Sequence, residues 1–278
     1  MDFIQAIIIG LVQGLTEFIP VSSSAHLVLV PWALGWASPG LAFDTMLHWG
    51  TLLAVVGYFW REWMRIISGF VRSLLRRGPW RTTPGSRLAD GDARLAWWII
   101  LGSIPAAVLG YLFSDFFEEL FDNAAAVCGF LLVTALILTL SEWLGRRMRN
   151  LDSMNLPDAL LIGLAQAIAI APGISRSGAT IATGLARGLK REDAARFSFL
   201  LGTPAIFGAG LLQLVKMVEA GSLAQDAFYL LVGFLVAAIS GYLCIRFLLA
   251  YLRRGRLYPF AAYCAVIGAA TLIVSAWR

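Results

Sequence analysis

The sequence predicts an all-α polytopic membrane protein, with six transmembrane helices and two re-entrant helical hairpins arranged as an inverted repeat. Three observations carry this. Of the 278 residues, 59% are hydrophobic and 14% charged, where a soluble globular chain carries about 25% charged residues. The polar atoms needed to coat a water-facing surface are therefore missing. The apolar residues also gather in runs long enough to cross a bilayer, for which about 20 residues are needed. Finally, the charges lie between those runs and alternate in sign from loop to loop, the pattern of a chain threaded repeatedly through a membrane. This composition excludes a large soluble domain, a coiled coil and a disordered chain.

In chain order, residues 3–19 are apolar but run into Glu17-Phe18-Ile19-Pro20-Val21-Ser22-Ser23-Ser24, and the apolar stretch after it, 25–37, is short for a crossing. A polar turn between two short apolar arms predicts a re-entrant hairpin over about 3–37, because irregular backbone at membrane depth is tolerated only where protein or a watery cavity satisfies it. Spans follow at about 43–60, 95–114 and 124–141. Residues 156–171 then meet Pro172-Gly173-Ile174-Ser175-Arg176-Ser177-Gly178, which predicts a second hairpin over about 156–187. Three more spans follow at about 197–218, 227–248 and 257–277, and the whole of 1–278 reads as one membrane domain.

Regions 61–94, 146–150, 187–196 and 246–256 hold every Lys and Arg except Arg176, Lys216 and Arg278. The loops between them are acidic, with Asp115, Glu118, Glu119 and Asp122 in one and Glu219 and Asp226 in the other. The positive-inside rule puts the basic clusters in the cytoplasm and both termini outside. Replacing the hairpins by ordinary two-span hairpins leaves that parity unchanged. The net charge of +5 is explained by these loops, and no surface is organised for nucleic acid. Cys128, Cys244 and Cys264 lie widely spaced inside apolar runs and read as small core residues. Met1-Asp2-Phe3 lacks the basic region of a signal peptide, so the first apolar segment is expected to stay in the mature protein.

Sliding the chain by 153 residues lays Gly10-Leu11-x-Gln13 on Gly163-Leu164-x-Gln166, and Ser22 and Ser24 on Ser175 and Ser177; one residue out of that register, Gly50-Thr51 meets Gly202-Thr203. Each half, about 1–150 and 151–278, is then one hairpin plus three spans. Three is odd, so the halves enter the membrane in opposite senses, as in the inverted repeats of transporters.

Ionisable residues inside a membrane are expensive and mark function. The hairpins carry Glu17, His26 and Arg176. Gln13 and Glu17, four apart, share a helix face, where a carboxylate beside an amide oxygen suits a hard divalent cation; a polar pair capping a turn is the structural alternative. Ser22, Ser23 and Ser24 precede His26, and a serine becomes a nucleophile when a base such as histidine takes its proton; an N-cap serine beside an interfacial histidine is the alternative. The segment Pro172 to Thr180 is the most specific. A Gly-containing turn opening a helix exposes backbone N–H groups to an anion. Ser175, Ser177 and Thr180 add hydroxyls, and Arg176 adds a planar fork for phosphate. His48 and Asp44, at the outer end of a span, read as ordinary interfacial groups, and Lys216 as a snorkelling side chain. An anion clamp, nucleophile, base and metal ligand together form a phosphoryl-transfer inventory. A phosphate-bearing lipid fits it, with its tail in hydrocarbon and its head in the pocket.

At Gln13-Gly14-Leu15-Thr16-Glu17-Phe18-Ile19-Pro20-Val21-Ser22-Ser23-Ser24-Ala25-His26 and at Pro172 through Thr180, the chain resembles the undecaprenyl-diphosphate phosphatase family linked to bacitracin resistance. The resemblance covers essentially the whole chain. It implies hydrolysis of the C55 lipid carrier's diphosphate to the monophosphate and inorganic phosphate, recycling the carrier for peptidoglycan and other envelope polymers. It also implies a divalent cation, Mg²⁺ or Ca²⁺, a bacterial plasma membrane location and a site open to the extracytoplasmic side. By carry-over, Glu17, Ser23, His26 and Arg176 match the catalytic positions, and Ser22, Ser175, Ser177, Gly178 and Thr180 line the phosphate cradle. The family has Glu or Gln at the position of Gln13; Gln here leaves the metal to Glu17, Gln13 and the substrate. Ala25 stands where relatives often have glycine. The type 2 phosphatidic-acid phosphatases share a Ser-x-x-His-like element, but their further arginine and histidine motif has no counterpart in a chain whose histidines are His26 and His48.

The expected activity is therefore a membrane diphosphatase, with Ser23, His26 or a water as the attacking group. A polyprenyl-phosphate flippase using the same anion pocket is the rival, and a scaffold without a site leaves Glu17 and Arg176 unexplained. Expected partners are the polyprenyl diphosphate and membrane lipids, with no nucleic acid; monomer and homodimer are both open.

Overall fold

The computed structural model describes residues 2–75, 87–121, 123–145, 147–219 and 227–277. Of the charged positions that set the expected topology, Arg76, Arg77, Arg81, Asp122, Arg146, Asp226 and Arg278 lie outside the described residues. The described chain is helical without a β-strand; one isolated bridge pairs Arg149 with Leu189.

The first arm, α1 (Phe3–Phe18), starts on a capping box in which Asp2 accepts from the Gln5 amide and the Gln5 side chain accepts from the Asp2 amide. It stops ahead of Pro20, which drives the preceding residue out of the helical region: Ile19 is extended, at φ −63° and ψ 136°. The helix α2 (Ser23–Leu34) completes the first pair. Then come α3 (Leu41–Tyr58), α4 (Trp60–Leu75), α5 (Arg87–Leu112), the short α6 (Ser114–Phe121) and α7 (Ala124–Leu144). A second pair, α8 (Leu156–Ile168) and α9 (Arg176–Ala186), opens on another capping box, Asn155 with Asp158. Three long helices end the chain: α10 (Arg191–Glu219), α11 (Ala227–Leu252) and α12 (Tyr258–Trp277).

Five of these are long and apolar enough to cross a membrane, namely Gly91–Leu112, Ala125–Leu144, Arg191–Lys216, Ala227–Leu252 and Tyr258–Ser275. The chain is thus a multi-pass membrane protein, and these five coincide with five of the expected spans. The sixth expected span, 43–60, is α3, whose apolar run is diluted by Asp44 and His48. The arms α1, α2 and α8 are apolar but shorter, at 16, 12 and 13 residues. The helix α4 was not expected. It lies in the basic region read as a loop, because its arginines line one face of a helix whose Trp60, Met64, Ile67, Val71 and Leu74 line another.

Backbones approach closely where glycines face each other, the device by which membrane helices pack without a hydrophobic driving force. A Cβ on Gly163 of α8 would fall 2.1 Å from the carbonyl oxygen of Gly102 on α5, and one on Gly14 of α1 would fall 2.7 Å from that of Ala237 on α11. The largest core cluster draws Phe18, Val55, Leu138, Ile181, Phe197, Leu200 and Leu248 from six different helices. Ile19 of the first turn packs against it, while Val21 and, in the second turn, Ala169, Ala171 and Ile174 belong to smaller clusters.

All four basic regions are tied together at one end of the bundle. Arg196 of α10 forks onto Glu62 of α4, with Nε 2.8 and 3.0 Å from the two carboxylate oxygens. Glu142, its side chain fully buried, accepts from Arg191 at 2.7 and 2.6 Å, from Arg147 at 2.9 Å and from the Leu257 amide at 2.8 Å. Asp158 is likewise held by Arg149 and Arg187, and Arg253 bonds Glu192. Buried carboxylates of this kind are tolerable only with such partners.

Candidate active site

Two interrupted helices meet at their turns. Ser24 Oγ accepts from the Gly173 amide at 3.3 Å, and Ser177 Oγ donates to the Ile19 carbonyl at 3.3 Å. The second turn is pinned from α7. Thr134 donates to the Gly173 carbonyl at 2.9 Å and accepts from the Ser175 amide at 3.0 Å. Gly173 has φ +97°, and a Cβ there would strike the Val127 carbonyl at 2.2 Å, so only glycine fits.

Both second arms begin on a serine cap. Ser22 Oγ accepts from the Ala25 amide at 3.4 Å and Ser175 Oγ from the Gly178 amide at 3.0 Å. Each pairs with the serine two residues on, Ser22 with Ser24 at 3.1 Å and Ser175 with Ser177 at 3.2 Å. The first amides of each helix, at Ser23 and Ser24 and at Arg176 and Ser177, are the donors that every helix N-terminus leaves over. Two positive dipole ends therefore converge. Ser22 sits at φ +68°, a conformation that costs a non-glycine residue roughly 1–3 kcal/mol. The carbonyl it presents there accepts from His26 Nδ1 at 2.8 Å.

The charge centre is Glu17, whose side chain is 3% exposed. One carboxylate oxygen, Oε1, is ion-paired with Nη2 of Arg176. The other accepts from Ser23 Oγ at 2.6 Å and from Gln13 Nε2 at 3.0 Å. Gln13 is fully buried, and its Oε1 has no hydrogen-bond partner among the described residues. Arg176 and His48 are partly open, 27% and 35% exposed at the side chain, and Ser23 and Ser24 are partly exposed beside them.

The structure thus joins Gln13, Glu17, Ser23 and Arg176 in one hydrogen-bonded unit, with Ser22, Ser175 and Ser177 in the two turns beneath. Three expectations need correction. His26 does not bond Ser23. A backbone carbonyl can only accept, so Nδ1 carries the proton toward Ser22, and Nε2 accepts from the Tyr263 hydroxyl at 2.8 Å. The Ser23 hydroxyl instead donates to Glu17, because α1 and α2 bring them face to face across the turn. Thr180, wholly buried, bonds the Arg176 carbonyl at 2.7 Å and Ser198 at 2.6 Å; it ties α9 to α10 and does not line the cradle. The Gly178 amide is taken up by the cap. The cysteines are free and buried, as expected.

Three contributors were missed. His48, read as interfacial, has Nε2 4.0 Å from Glu17 Oε2, while its Nδ1 bonds the Asp44 carbonyl at 2.8 Å. Its place in an apolar run four residues after Asp44 was the available signal. Tyr263 and Thr134 offered none, since each reaches the site from a helix remote in sequence.

Gln13 Oε1 and the Glu17 carboxylate are the oxygen donors that would hold a divalent cation. The first is a buried oxygen without a partner, the second a carboxylate beside it. Among the described residues no group of three or more His, Cys, Asp or Glu could hold a metal. A cation held here would share its shell with substrate phosphates, the usual arrangement for Mg²⁺.

Residues 6–270 match the family model described as bacitracin resistance protein BacA. A protein of Thermomicrobium roseum named undecaprenyl-diphosphatase is 43% identical over 99% of this chain and 98% of its own length. One of the same name from Rubrobacter xylanophilus is 46% identical over 95% of this chain and 94% of its own length. A third, from Moorella thermoacetica, is 43% identical over all of this chain and 99% of its own length.

Proposed function

This chain belongs to the bacitracin resistance protein BacA family, and from that membership and the geometry around Glu17 we infer that it is an integral-membrane undecaprenyl-diphosphatase. It hydrolyses undecaprenyl diphosphate to undecaprenyl phosphate and inorganic phosphate. The observation that carries the chemistry is the single carboxylate that touches both a hydroxyl and a guanidinium.

Arg176 gives one of its five N–H groups to Glu17, which leaves donors for the equatorial oxygens of a phosphate. The amides of Ser23, Ser24, Arg176 and Ser177 add further donors at the meeting of two helix ends. Ser23 Oγ attacks the terminal phosphorus as its proton passes to Glu17 Oε2. The Oγ–P bond forms, the bridging P–O bond breaks, and the lipid monophosphate leaves. Water then attacks the phosphorus, its oxygen bonding there as the Oγ–P bond breaks; the carboxyl returns its proton to Ser23 Oγ, and both protons of the water leave with the inorganic phosphate. His26 as nucleophile is disfavoured because its one lone pair already accepts from Tyr263. It acts instead as a brace, holding the strained Ser22 carbonyl and with it the position of Ser23. Gln13 Oε1 and Glu17 would hold a divalent cation, Mg²⁺ or Ca²⁺, whose chemistry when bound is to neutralise charge on the phosphates.

The flippase reading is not favoured. A transporter needs the anion cradle but has no use for a hydroxyl held 2.6 Å from a buried carboxylate.

Each half is one re-entrant hairpin plus three spans, α3, α5 and α7 in the first and α10, α11 and α12 in the second. Three equivalences support this inverted repeat: Gly10 packs on the Gly233 carbonyl as Gly163 packs on that of Gly102, Ser22 and Ser175 cap alike, and Cys264 reaches the Pro20 carbonyl as Thr134 reaches that of Gly173. The tied basic end supports a cytoplasmic placement under the positive-inside rule. The pocket and both termini are then extracytoplasmic, in a bacterial plasma membrane.

The test is phosphate release from C55 diphosphate by the purified protein, with and without chelator, alongside Ser23→Ala and Glu17→Gln. Cation-dependent release lost in both variants supports the reading. Tight lipid binding without release would transfer the protein to the transporters.

A further inference from the structure

The helix α4 has three faces. Glu62, Ile66, Gly69 and Ser73 are buried against the bundle, where Trp97 Nε1 donates to Ser73 at 3.2 Å. A second face exposes Trp60, Met64, Ile67, Val71 and Leu74. The third carries Arg61, Arg65, Ser68 and Arg72 at helical spacing, with Arg72 bonded to Ser68 at 3.3 Å. A helix with an exposed apolar stripe beside a basic one lies in the membrane interface, its arginines at headgroup level.

Where α4 leaves α3, a cavity of about 350 Å³ opens. Arg61, Arg65, Arg196 and the carboxylates Glu62 and Glu192 line its polar side, and Tyr58 and Leu249 its apolar side. The nearby carboxylates are already matched, Glu62 by Arg196 and Glu192 by Arg253. Arg61 lies over the Trp60 ring, 5.3 Å from its centroid. Neither Arg61 nor Arg65 has a carboxylate partner among the described residues. The cavity thus has two uncompensated guanidiniums beside an apolar wall of Tyr58 and Leu249. It is not the catalytic pocket: along α3, Tyr58 is ten residues from His48, roughly 15 Å of helix.

We propose that this cavity is a binding site for the phosphate headgroup of an anionic glycerophospholipid, with Arg61 and Arg65 holding the phosphate and Tyr58 and Leu249 the start of an acyl chain. A free phosphate meets the same two arginines but leaves the apolar wall unused. The basic stripe of α4 sets the lipid's charge, since polybasic segments at this depth select anionic headgroups.

The test is native mass spectrometry of the detergent-purified protein titrated with phosphatidylglycerol, phosphatidylcholine or inorganic phosphate. The wild type should retain phosphatidylglycerol over phosphatidylcholine. Apparent affinity should fall about fivefold for each arginine removed in R65Q and R61Q/R65Q, while R61K/R65K keeps most of it. Arg65 is exposed and unpartnered, so R65Q alone serves if the double variant does not fold. Equal retention of the two lipids, unchanged phosphatidylglycerol binding in R65Q, or displacement of phosphatidylglycerol by millimolar inorganic phosphate would each overturn the assignment.

Discussion

The carboxylate of Glu17 and the guanidinium of Arg176 form an ion pair across 159 residues of sequence. It joins two interrupted helices whose turns are bonded to each other, the Gly173 amide to Ser24 and Ser177 to the Ile19 carbonyl. The pair gives the carboxylate a partner in the absence of an anion, and it holds the guanidinium where an incoming phosphate can share it. Burial makes such a pair valuable only as a pair, because removing one partner leaves the other charge uncompensated.

Arg176→Ala should therefore lower turnover by about 10²–10³-fold or more, the usual cost of deleting a transition-state donor. Arg176→Lys should recover little, because an ammonium cannot serve Glu17 and a phosphate through one planar fork. Phosphate release by each variant, with gel filtration to verify folding, decides this.

Ser23 and Glu17 act as a unit, so their effects should not add. Ser23→Ala, Glu17→Gln and the double variant should all fall to nearly the same residual rate. Independent, multiplying losses would show that Glu17 does not take the Ser23 proton.

Tyr263→Phe removes only the hydroxyl that meets His26. A neutral hydrogen bond contributes about 0.5–1.5 kcal/mol, so turnover should drop no more than about tenfold, with KM nearly unchanged. Loss comparable to that of Ser23→Ala would instead make His26 a participant in the chemistry.

Gln13→Glu places a second carboxylate beside Glu17 at the partnerless amide oxygen. The cation should then bind more tightly, seen as half-maximal activity at lower Mg²⁺ and slower inactivation by chelator. A cation requirement identical to the wild type would remove Gln13 from the metal's surroundings.

Glu142→Ala leaves Arg191 and Arg147 facing an empty buried site and the Leu257 amide without its acceptor. Breaking a buried pair in this way costs about 3–5 kcal/mol. The thermal midpoint in detergent should fall by many degrees, while any protein that remains folded keeps its KM.

Composition and charge periodicity sufficed for class, five of the six expected spans and the two interrupted segments, because a bilayer forces a spanning element to declare itself as an apolar run and a loop as a charged one. Glu17, Ser23 and Arg176 were legible for the same reason: polar groups are costly at membrane depth and conspicuous there. The helix α4 was not legible, since an interfacial helix mixes both signals and resembles a basic loop.

Pairing belongs to the tertiary structure. Ser-x-x-His on one helix made His26 look like the base for Ser23, yet folding the turn back brings the Glu17 carboxylate to the hydroxyl and turns the imidazole to Tyr263. His48, Tyr263 and Thr134 enter the site from helices remote in the chain, and a single sequence carries no record of which helix faces which. The bilayer determines what each segment is, and so the sequence alone determines that. Which donor meets which acceptor depends on the packing of helices through small residues such as Gly102 and Gly163, where a few tenths of an ångström decide contact.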